Sequence, residues 1–382
     1  MRKKICIVIG TSMVLHSLYK DQFKFLMDNG YEVTGVAPAG IEHEWLNNDG
    51  IKTKIILLKR KPFLFYDIIS VVQLSWYFIF NRFDIISIST PKAALVGAIA
   101  SFITFQKNVI YTQRGRTYEN TSGLKRFFYE SIERFIMRVS KRVFCISHEL
   151  KDEFIARKFC SPDKIFVINS GSSNGVDLQI FTRNARNIED GLSLRKKLGL
   201  SSSDLLILYS GRIRKDKGIN ELIYAFVGLM KSHHNLYLLL QGSFEDHDPL
   251  NNDVLIEIYN NKKIFTEPWS KDIDKYYAAA DIFAFPSHRE GFGNVAIEAS
   301  AMELPVVGFN VMGVRESVKD GYSGILCNNV STQNLEEGLK HLISNPNLRE
   351  KLGQNGRKRI EQEFDSNIIW NELLKVYDKL VK

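Results

Sequence analysis

Cysteine is scarce in this chain and nowhere paired by spacing. The four present (Cys6, Cys145, Cys160, Cys327) are scattered over 382 residues without a C-x-x-C motif. This argues against a disulfide framework or a cysteine-held zinc site and suits a reducing compartment. Long apolar runs are also lacking. Tyr66–Phe80 is short and contains Asp67 and Gln73, and Ala93–Phe105 is shorter still, against the ~20 residues a membrane span requires. The opening Met-Arg-Lys-Lys-Ile-Cys-Ile-Val-Ile-Gly has a basic start, but its apolar run stops at Gly10 with no small-residue cleavage site after it. It reads as a first buried strand, not a leader. No solenoid-period repeat and no low-complexity segment is present.

What the chain does have is ordinary globular composition, 45% hydrophobic and 25% charged, at a length sufficient for two cores. Its net charge of +8 is uneven: residues 1–180 hold 25 Lys and Arg against 16 Asp and Glu, the remainder 26 against 27. Asymmetry of this kind points to an anionic partner for the first half. No nucleic-acid reading motif accompanies the charge, so nucleic acid is not expected as a partner.

Short β-branched runs alternate with helical patterns throughout, as in parallel sheets with crossover helices. Seven strands are expected in the first half, at 4–9, 32–36, 53–57, 85–89, 108–112, 142–146 and 164–168. Six are expected in the second, at 205–210, 236–241, 263–266, 282–285, 306–308 and 324–326. The polar stretch from Arg183 to Ser203 interrupts the alternation and reads as a linker. The expected organisation is therefore α/β, with two Rossmann-like domains, 1–182 and 204–365, facing across a cleft. Residues 366–382 are expected to form a helix packing back on the first domain.

The segment Glu290-Gly-Phe-Gly-Asn-Val-Ala-Ile-Glu298 carries the most chemistry. It follows an apolar run read as a buried strand. Its glycines let backbone approach a ligand, and the helix behind presents unpaired N–H groups and a partial positive charge suited to phosphate. The two carboxylates call for hydroxyls instead. Phosphate flanked by hydroxyl acceptors describes a nucleotide sugar.

In this segment the chain resembles the retaining GT-B glycosyltransferases of family 4, marked by a Glu followed eight residues later by another. The resemblance implies that Glu290 contacts the donor sugar, that Glu298 holds the ribose diol, and that Gly291, Phe292, Gly293 and Asn294 line the diphosphate and sugar. Tyr209-Ser-Gly-Arg-Ile-Arg-Lys-Asp-Lys-Gly218 resembles the family's "GR…KG" segment. It implies Arg212 and Lys217 on the diphosphate, with Gly211 beside them. Paired cations there stabilise the charge of a leaving nucleoside diphosphate as it develops. By the same analogy the base lies near Gly242 and Glu267, where Trp269 either stacks or serves as core or lid. Glu303 stands where the family has a glycine.

The first domain matches the family more loosely. Thr11, in Gly10-Thr-Ser12, stands where many members have a second glycine, and Arg114, in Tyr111-Thr-Gln-Arg-Gly-Arg116, replaces the family's histidine at the donor sugar. A guanidinium can hydrogen-bond there but cannot act as a base. Asp246-His-Asp248 resembles a metal-binding Asp-X-Asp, redundant beside Arg212, Lys217 and a helix terminus. No metal and no cofactor is expected.

The basic surplus gathers at Lys59, Arg60 and Lys61, and along 124–142 with Lys125 and Arg126. In the latter segment Leu124, Phe127, Phe128, Ile132, Phe135, Ile136 and Val139 share a helical face. Such a helix either docks on an anionic membrane or is an ordinary crossover helix with a solvated basic side. The resemblance implies a retaining, metal-independent transferase. It would move a hexose or N-acetylhexosamine from a nucleotide-sugar donor, a UDP-sugar foremost, to a lipid-linked saccharide acceptor in O-antigen or capsule synthesis. It would sit in the cytoplasm, peripheral on the inner face of the cell membrane. A GT-B nucleotide-sugar epimerase and a catalytically silent partner of another transferase are the alternatives.

Overall fold

The computed structural model describes residues 2–59, 64–116, 118–119 and 121–381, apart from the Leu64 side chain. Two compact units are present, Met1–Asn174 with Asn367–Lys382, and Gly175–Ser366. The first is built on seven strands: β1 Lys3–Val8, β2 Tyr31–Ala37, β3 Lys52–Ile55, β4 Ile85–Ser89, β5 Val109–Gln113, β6 Arg142–Cys145 and β7 Ile165–Phe166. They pair in parallel, in the order β3-β2-β1-β4-β5-β6-β7. Successive side chains of a strand point to opposite faces. Thus Cys6 and Val8 enter one core layer, while Ile5, Ile7 and Ile9 enter the other. Helices Leu64–Phe80, Pro91–Ile103 and Gly123–Val139 cover the first layer. Helix Ser12–Asp28 covers the second, joined by Ser366–Leu380 through Ile369, Leu373 and Tyr377. Lys3 and Tyr31 both bond Asp378 on that last helix, at 2.7 and 2.9 Å.

The second unit has six parallel strands: β8 Leu205–Ser210, β9 Leu236–Gln241, β10 Ile264–Glu267, β11 Ile282–Phe285, β12 Val306–Phe309 and β13 Gly324–Cys327. Their order is β10-β9-β8-β11-β12-β13. Each sheet is wound outward in both directions from its middle, so each has one pair of strands, β1/β4 and β8/β11, whose connections leave to opposite sides. In open parallel sheets the crevice beyond the carboxyl ends of such a pair is where ligands bind.

The structure differs from the sequence reading between Arg183 and Ser203. That stretch contains helix Ala185–Lys197, which belongs to the second unit. Its apolar positions are few, but Leu194 enters the core beside Tyr276 and Tyr277. Arg195 bonds Asp281 at 3.0 Å and the carbonyls of Ala279, Ser201 and Asp204. A helix held through Arg195, the buried Asn187 and the close approach of Gly191 to Ala278, with few apolar contacts, shows weak periodicity, hence its reading as a linker. Glu303 adopts φ +61, in the left-handed region that a glycine occupies without strain.

Candidate active site

The second unit's switch point is made by the segments leaving β8 and β11, which are neighbours in the sheet. After β8 the chain passes Gly211 and Arg212, closes a short 3-10 turn at Lys215–Lys217, and enters helix Ile219–Leu229. Gly218 joins the turn to the helix at φ +71, and a Cβ there would stand 1.9 Å from the Pro286 carbonyl oxygen. The two segments therefore touch, and only glycine permits it. After β11 the chain runs through Ser287 and Glu290 to Gly293, which caps helix Asn294–Ala301 at φ +82.

This contact places Lys217 on Glu290. The Lys217 ammonium donates to Glu290 Oε1, as does Ser287 Oγ at 2.8 Å. Both members of the pair are largely shielded from solvent. Arg212 is half exposed and donates to Glu245 at 3.4 Å. Glu245 lies beyond β9, on a segment tied to the first by the bridge between Ile213 and Phe244. The buried Arg214 joins Glu245 at 3.3 Å to Asp216 at 2.7 Å, and Arg289 also donates to Asp216, at 3.2 Å. Burial pushes the Asp216 carboxyl up, but Arg214 and Arg289 outweigh it and hold it below its usual range. Three cations and two carboxylates thus brace the loop that carries Lys217.

Glu298 lies one turn into helix Asn294–Ala301. Part of its side chain reaches solvent, yet its carboxyl is enclosed by protein, and that burial pushes it up to about 7. The hydroxyl of the fully buried Tyr277 donates to its Oε2 at 3.1 Å. Phe292 is buried against Phe364, with ring centroids 5.5 Å apart, so only its backbone is left to face a ligand. At the neighbouring strand ends, Gly211 N–H donates to Gln241 O at 3.0 Å and Gly242 N–H to Glu267 O at 2.9 Å. The Glu267 carboxylate is bonded to Lys197 at 2.7 Å. Trp269 is exposed, which removes the core reading for it.

Asp248 accepts from the Asp216 N–H at 2.8 Å and so braces the turn, while His247 meets Arg214 at 2.6 Å. Among the described residues, no group of three or more His, Cys, Asp or Glu could hold a metal ion.

In the first unit, Thr11 caps helix Ser12–Asp28 by accepting from Val14 N–H at 3.2 Å. Arg114 is fixed between Ser89 Oγ at 3.1 Å and the Tyr19 hydroxyl at 2.8 Å. Lys59 stands 3.5 Å over the Tyr66 ring. Arg60 and Lys61 lie outside the described residues. Lys125 and Arg126 are exposed in the first turn of helix Gly123–Val139, and Arg126 donates to Glu130 at 2.8 Å. The apolar face expected on that helix is core-facing only from Ile132 onward. Leu124, Phe127 and Phe128 are exposed, while Glu130 and Glu133 are buried. Arg126 and Arg157 satisfy Glu130, and Tyr111 donates to Glu133 at 2.8 Å.

Sequence reasoning missed Ser287, Tyr277, Arg214, Asp216 and Glu245. Ser287 and Asp216 sit within three residues of Glu290 and Lys217 and could have been suspected. Tyr277 and Glu245 are brought in only by the sheet.

Two Rossmann-like units, each wound about its own switch point, define the GT-B fold. Residues 192–359 match the family described as glycosyl transferases group 1, and residues 20–180 match glycosyltransferase family 4. The capsular polysaccharide biosynthesis glycosyltransferase CapM of Staphylococcus aureus is 34% identical over 365 residues, covering 96% of this chain and 94% of that one. An Escherichia coli UDP-Gal:alpha-D-GlcNAc-diphosphoundecaprenol alpha-1,3-galactosyltransferase is 25% identical over 315 residues, 81% of this chain and 78% of its own. Among solved structures, Anabaena Alr3699/HepE in complex with UDP and glucose superposes with a TM-score of 0.78 at 20% identity, over 99% and 100% of the two chains. The chain belongs to the family 4 GT-B glycosyltransferases.

Proposed function

We propose that this glycosyltransferase takes a hexose or N-acetylhexosamine from a nucleotide diphosphate sugar, a UDP-sugar foremost. It transfers the sugar, with retention, to a lipid-linked saccharide in surface-polysaccharide synthesis. The observation that carries the reading is the Lys217–Glu290 pair at the switch point. A cation and a carboxylate held against each other form a site that a ligand with adjacent phosphate and hydroxyl can open. The diphosphate takes Lys217 and Arg212, and the sugar hydroxyls replace the ammonium on Glu290. The backbone at Gly291–Asn294 meets the remaining phosphate charge, and Glu298 accepts from the ribose diol. As the glycosidic bond breaks, Lys217 and Arg212 stabilise the charge on the departing phosphate. That phosphate oxygen takes the acceptor's proton from the same face on which the acceptor attacks, so the anomeric configuration is kept. With these cations, no metal is required.

The names of the relatives support the class of substrate: one works in capsule synthesis, another carries a UDP-sugar and a diphosphoundecaprenol saccharide in its name, and a structural neighbour binds UDP and glucose. The basic first unit suits an enzyme held at the inner face of the cell membrane, where such acceptors lie. Among the described residues no helix is long and apolar enough to cross one. The test is turnover of UDP-, GDP- and dTDP-sugars with and without a diphosphoprenyl saccharide, following the product's anomeric configuration by NMR. Inversion of configuration overturns the retaining mechanism. Free epimerised sugar released without acceptor overturns the transfer, and loss of activity in EDTA restored by manganese overturns metal independence.

A further inference from the structure

Helix Leu64–Phe80 covers one face of the first unit's sheet with Leu74 and Phe78. Its opposite side is unusual for a surface helix. Phe65, Ile68, Val72, Trp76, Ile79 and Phe80 are each 51–67% exposed. Their spacing of three and four residues aligns them in one stripe, about 25 Å long at the rise of an α-helix. The only other exposed described residue on this helix is Gln73, which accepts from Leu57 N–H at 2.8 Å. Its single charged residue, Asp67, is partly buried and paired with Lys92 at 2.6 Å.

The stripe is continued by its neighbours. Phe102, Ile103 and Phe105 are exposed at the end of helix Pro91–Ile103, tied to the first helix by Arg82 donating to Thr104 O at 2.8 Å and Gln106 donating to Phe78 O at 3.1 Å. Phe102 also meets Phe135 of helix Gly123–Val139 at 6.5 Å, the helix whose opening turns expose Leu124, Phe127 and Phe128. Large apolar side chains left exposed on three neighbouring helices mark an interaction site.

We infer that this three-helix face inserts into the interfacial layer of an anionic lipid leaflet, with the Leu64–Phe80 helix lying in the plane of the membrane. The partner follows from the rim. Lys59 stands over Tyr66 near one end of the stripe, Arg82 and Lys107 follow the other, and Lys125 and Arg126 adjoin Phe127 and Phe128. An apolar face edged by cations is the pattern of an interfacial helix on anionic lipid. A second copy related by a two-fold axis would set these cations against their own kind. The inference rests on the reading above in taking a membrane as the partner. It assigns the main contact to apolar insertion by the Leu64–Phe80 helix.

The test uses the full chain and acceptor-free vesicles of phosphatidylcholine and phosphatidylglycerol in equal parts. Native protein should float with them and keep part of its binding in high salt, and lipids brominated on the acyl chain should quench its tryptophan fluorescence. Trp76→Phe should still bind while losing most of the quenching. The triple variant Trp76→Gln, Ile79→Gln, Phe80→Gln should lose about tenfold or more of its partitioning, with the melting temperature and UDP-sugar hydrolysis unchanged. Unquenched native protein, or a triple variant that partitions as the native protein does, overturns the inference. So does a native dimer that the triple variant turns into monomer without a change in vesicle binding, which makes the face a contact between copies. Hydrolysis is scored separately, so a failed transferase reading shows as missing turnover beside an intact vesicle result.

Discussion

The two units share a doubly wound parallel sheet but place their charged and apolar residues in opposite ways. In the second, the crevice between β8 and β11 holds Lys217 on Glu290, with Arg212, Arg214, Asp216 and Glu245 braced around it. In the first, Gly10 N–H donates to Thr90 Oγ1 at 2.9 Å beyond the matching pair, β1 and β4. Its distinctive feature lies instead on the outer helices, where large apolar side chains face solvent. One architecture thus offers two different positions, a charged crevice at the strand ends and an apolar face on the helical layer. The fold supplies positions, and the side chains decide which of them is used.

The sharpest way to break this comparison is to remove the cation from the second unit's crevice. Lys217→Ala should lower turnover about a hundredfold to a thousandfold, as removing other preorganised charge stabilisers does. Glu290 is then left with Ser287, so thermal unfolding should be measured beside single-turnover donor cleavage. If turnover falls only as far as the folded fraction does, the pair is a structural brace and the contrast between the units disappears.

Next in size is donor affinity. On the proposed reading Glu298→Ala removes an acceptor for the ribose, and a hydrogen bond to a charged group contributes about 1.5–3 kcal/mol, roughly tenfold to a hundredfold in Kd. Since burial raises this carboxyl to about 7, nucleotide should bind more tightly as pH rises through 7 and the anion forms. Calorimetry of UDP binding across that range checks this. A pH dependence that persists in Glu298→Gln would belong to another group.

Each unit also holds a tyrosine–glutamate pair whose carboxyl is enclosed by protein, Tyr111–Glu133 and Tyr277–Glu298, and in each that enclosure raises the carboxyl from an ordinary value of 4.5 to about 7. Between those values the folded protein retains a proton that the unfolded chain has released. Raising the pH through that window therefore favours unfolding, and the loss ends above the folded value. Melting curves should show Glu133→Gln gaining stability relative to the native protein as pH rises from about 5 to about 8. A constant difference would mean that Glu133 does not titrate in this window. This sharpens the comparison, because only Glu298 should couple the effect to nucleotide.

Most of the framework was legible in the sequence. All thirteen strands overlap the stretches predicted for them, and most are apolar nearly throughout because they are buried on both faces; β3, at the sheet edge, is largely exposed. The segments bearing Lys217 and Glu290 were legible too, since glycines at Gly218 and Gly293 are demanded by backbone geometry that leaves a mark in sequence. What escaped depends on partners distant in the chain. Helix Ala185–Lys197 is fixed by Arg195 reaching Asp281. Helix Gly123–Val139 turns two glutamates inward because Tyr111 and Arg157 await them. Periodicity records which residues are apolar, not which polar residues will find partners. Nor does it tell an apolar stripe facing the core from one left uncovered, which is why the Leu64–Phe80 face was not anticipated.

The smallest effect concerns the cations beside that face. Lys125→Ala and Arg126→Ala should each weaken binding to anionic vesicles by about 1 kcal/mol, roughly fivefold. Arg126 also bonds Glu130, which Arg157 still holds after the substitution, so the fold should survive. Screening distinguishes the two contributions to docking. At an ionic strength of about 1 M, where the Debye length is about 3 Å, the charge-dependent share should vanish and the variants should bind as the native protein does. The residue of binding left in high salt then measures the apolar face alone. If instead Arg126→Ala keeps its full deficit in high salt, the guanidinium acts through Glu130 on the helix itself, and the basic rim adds nothing to docking.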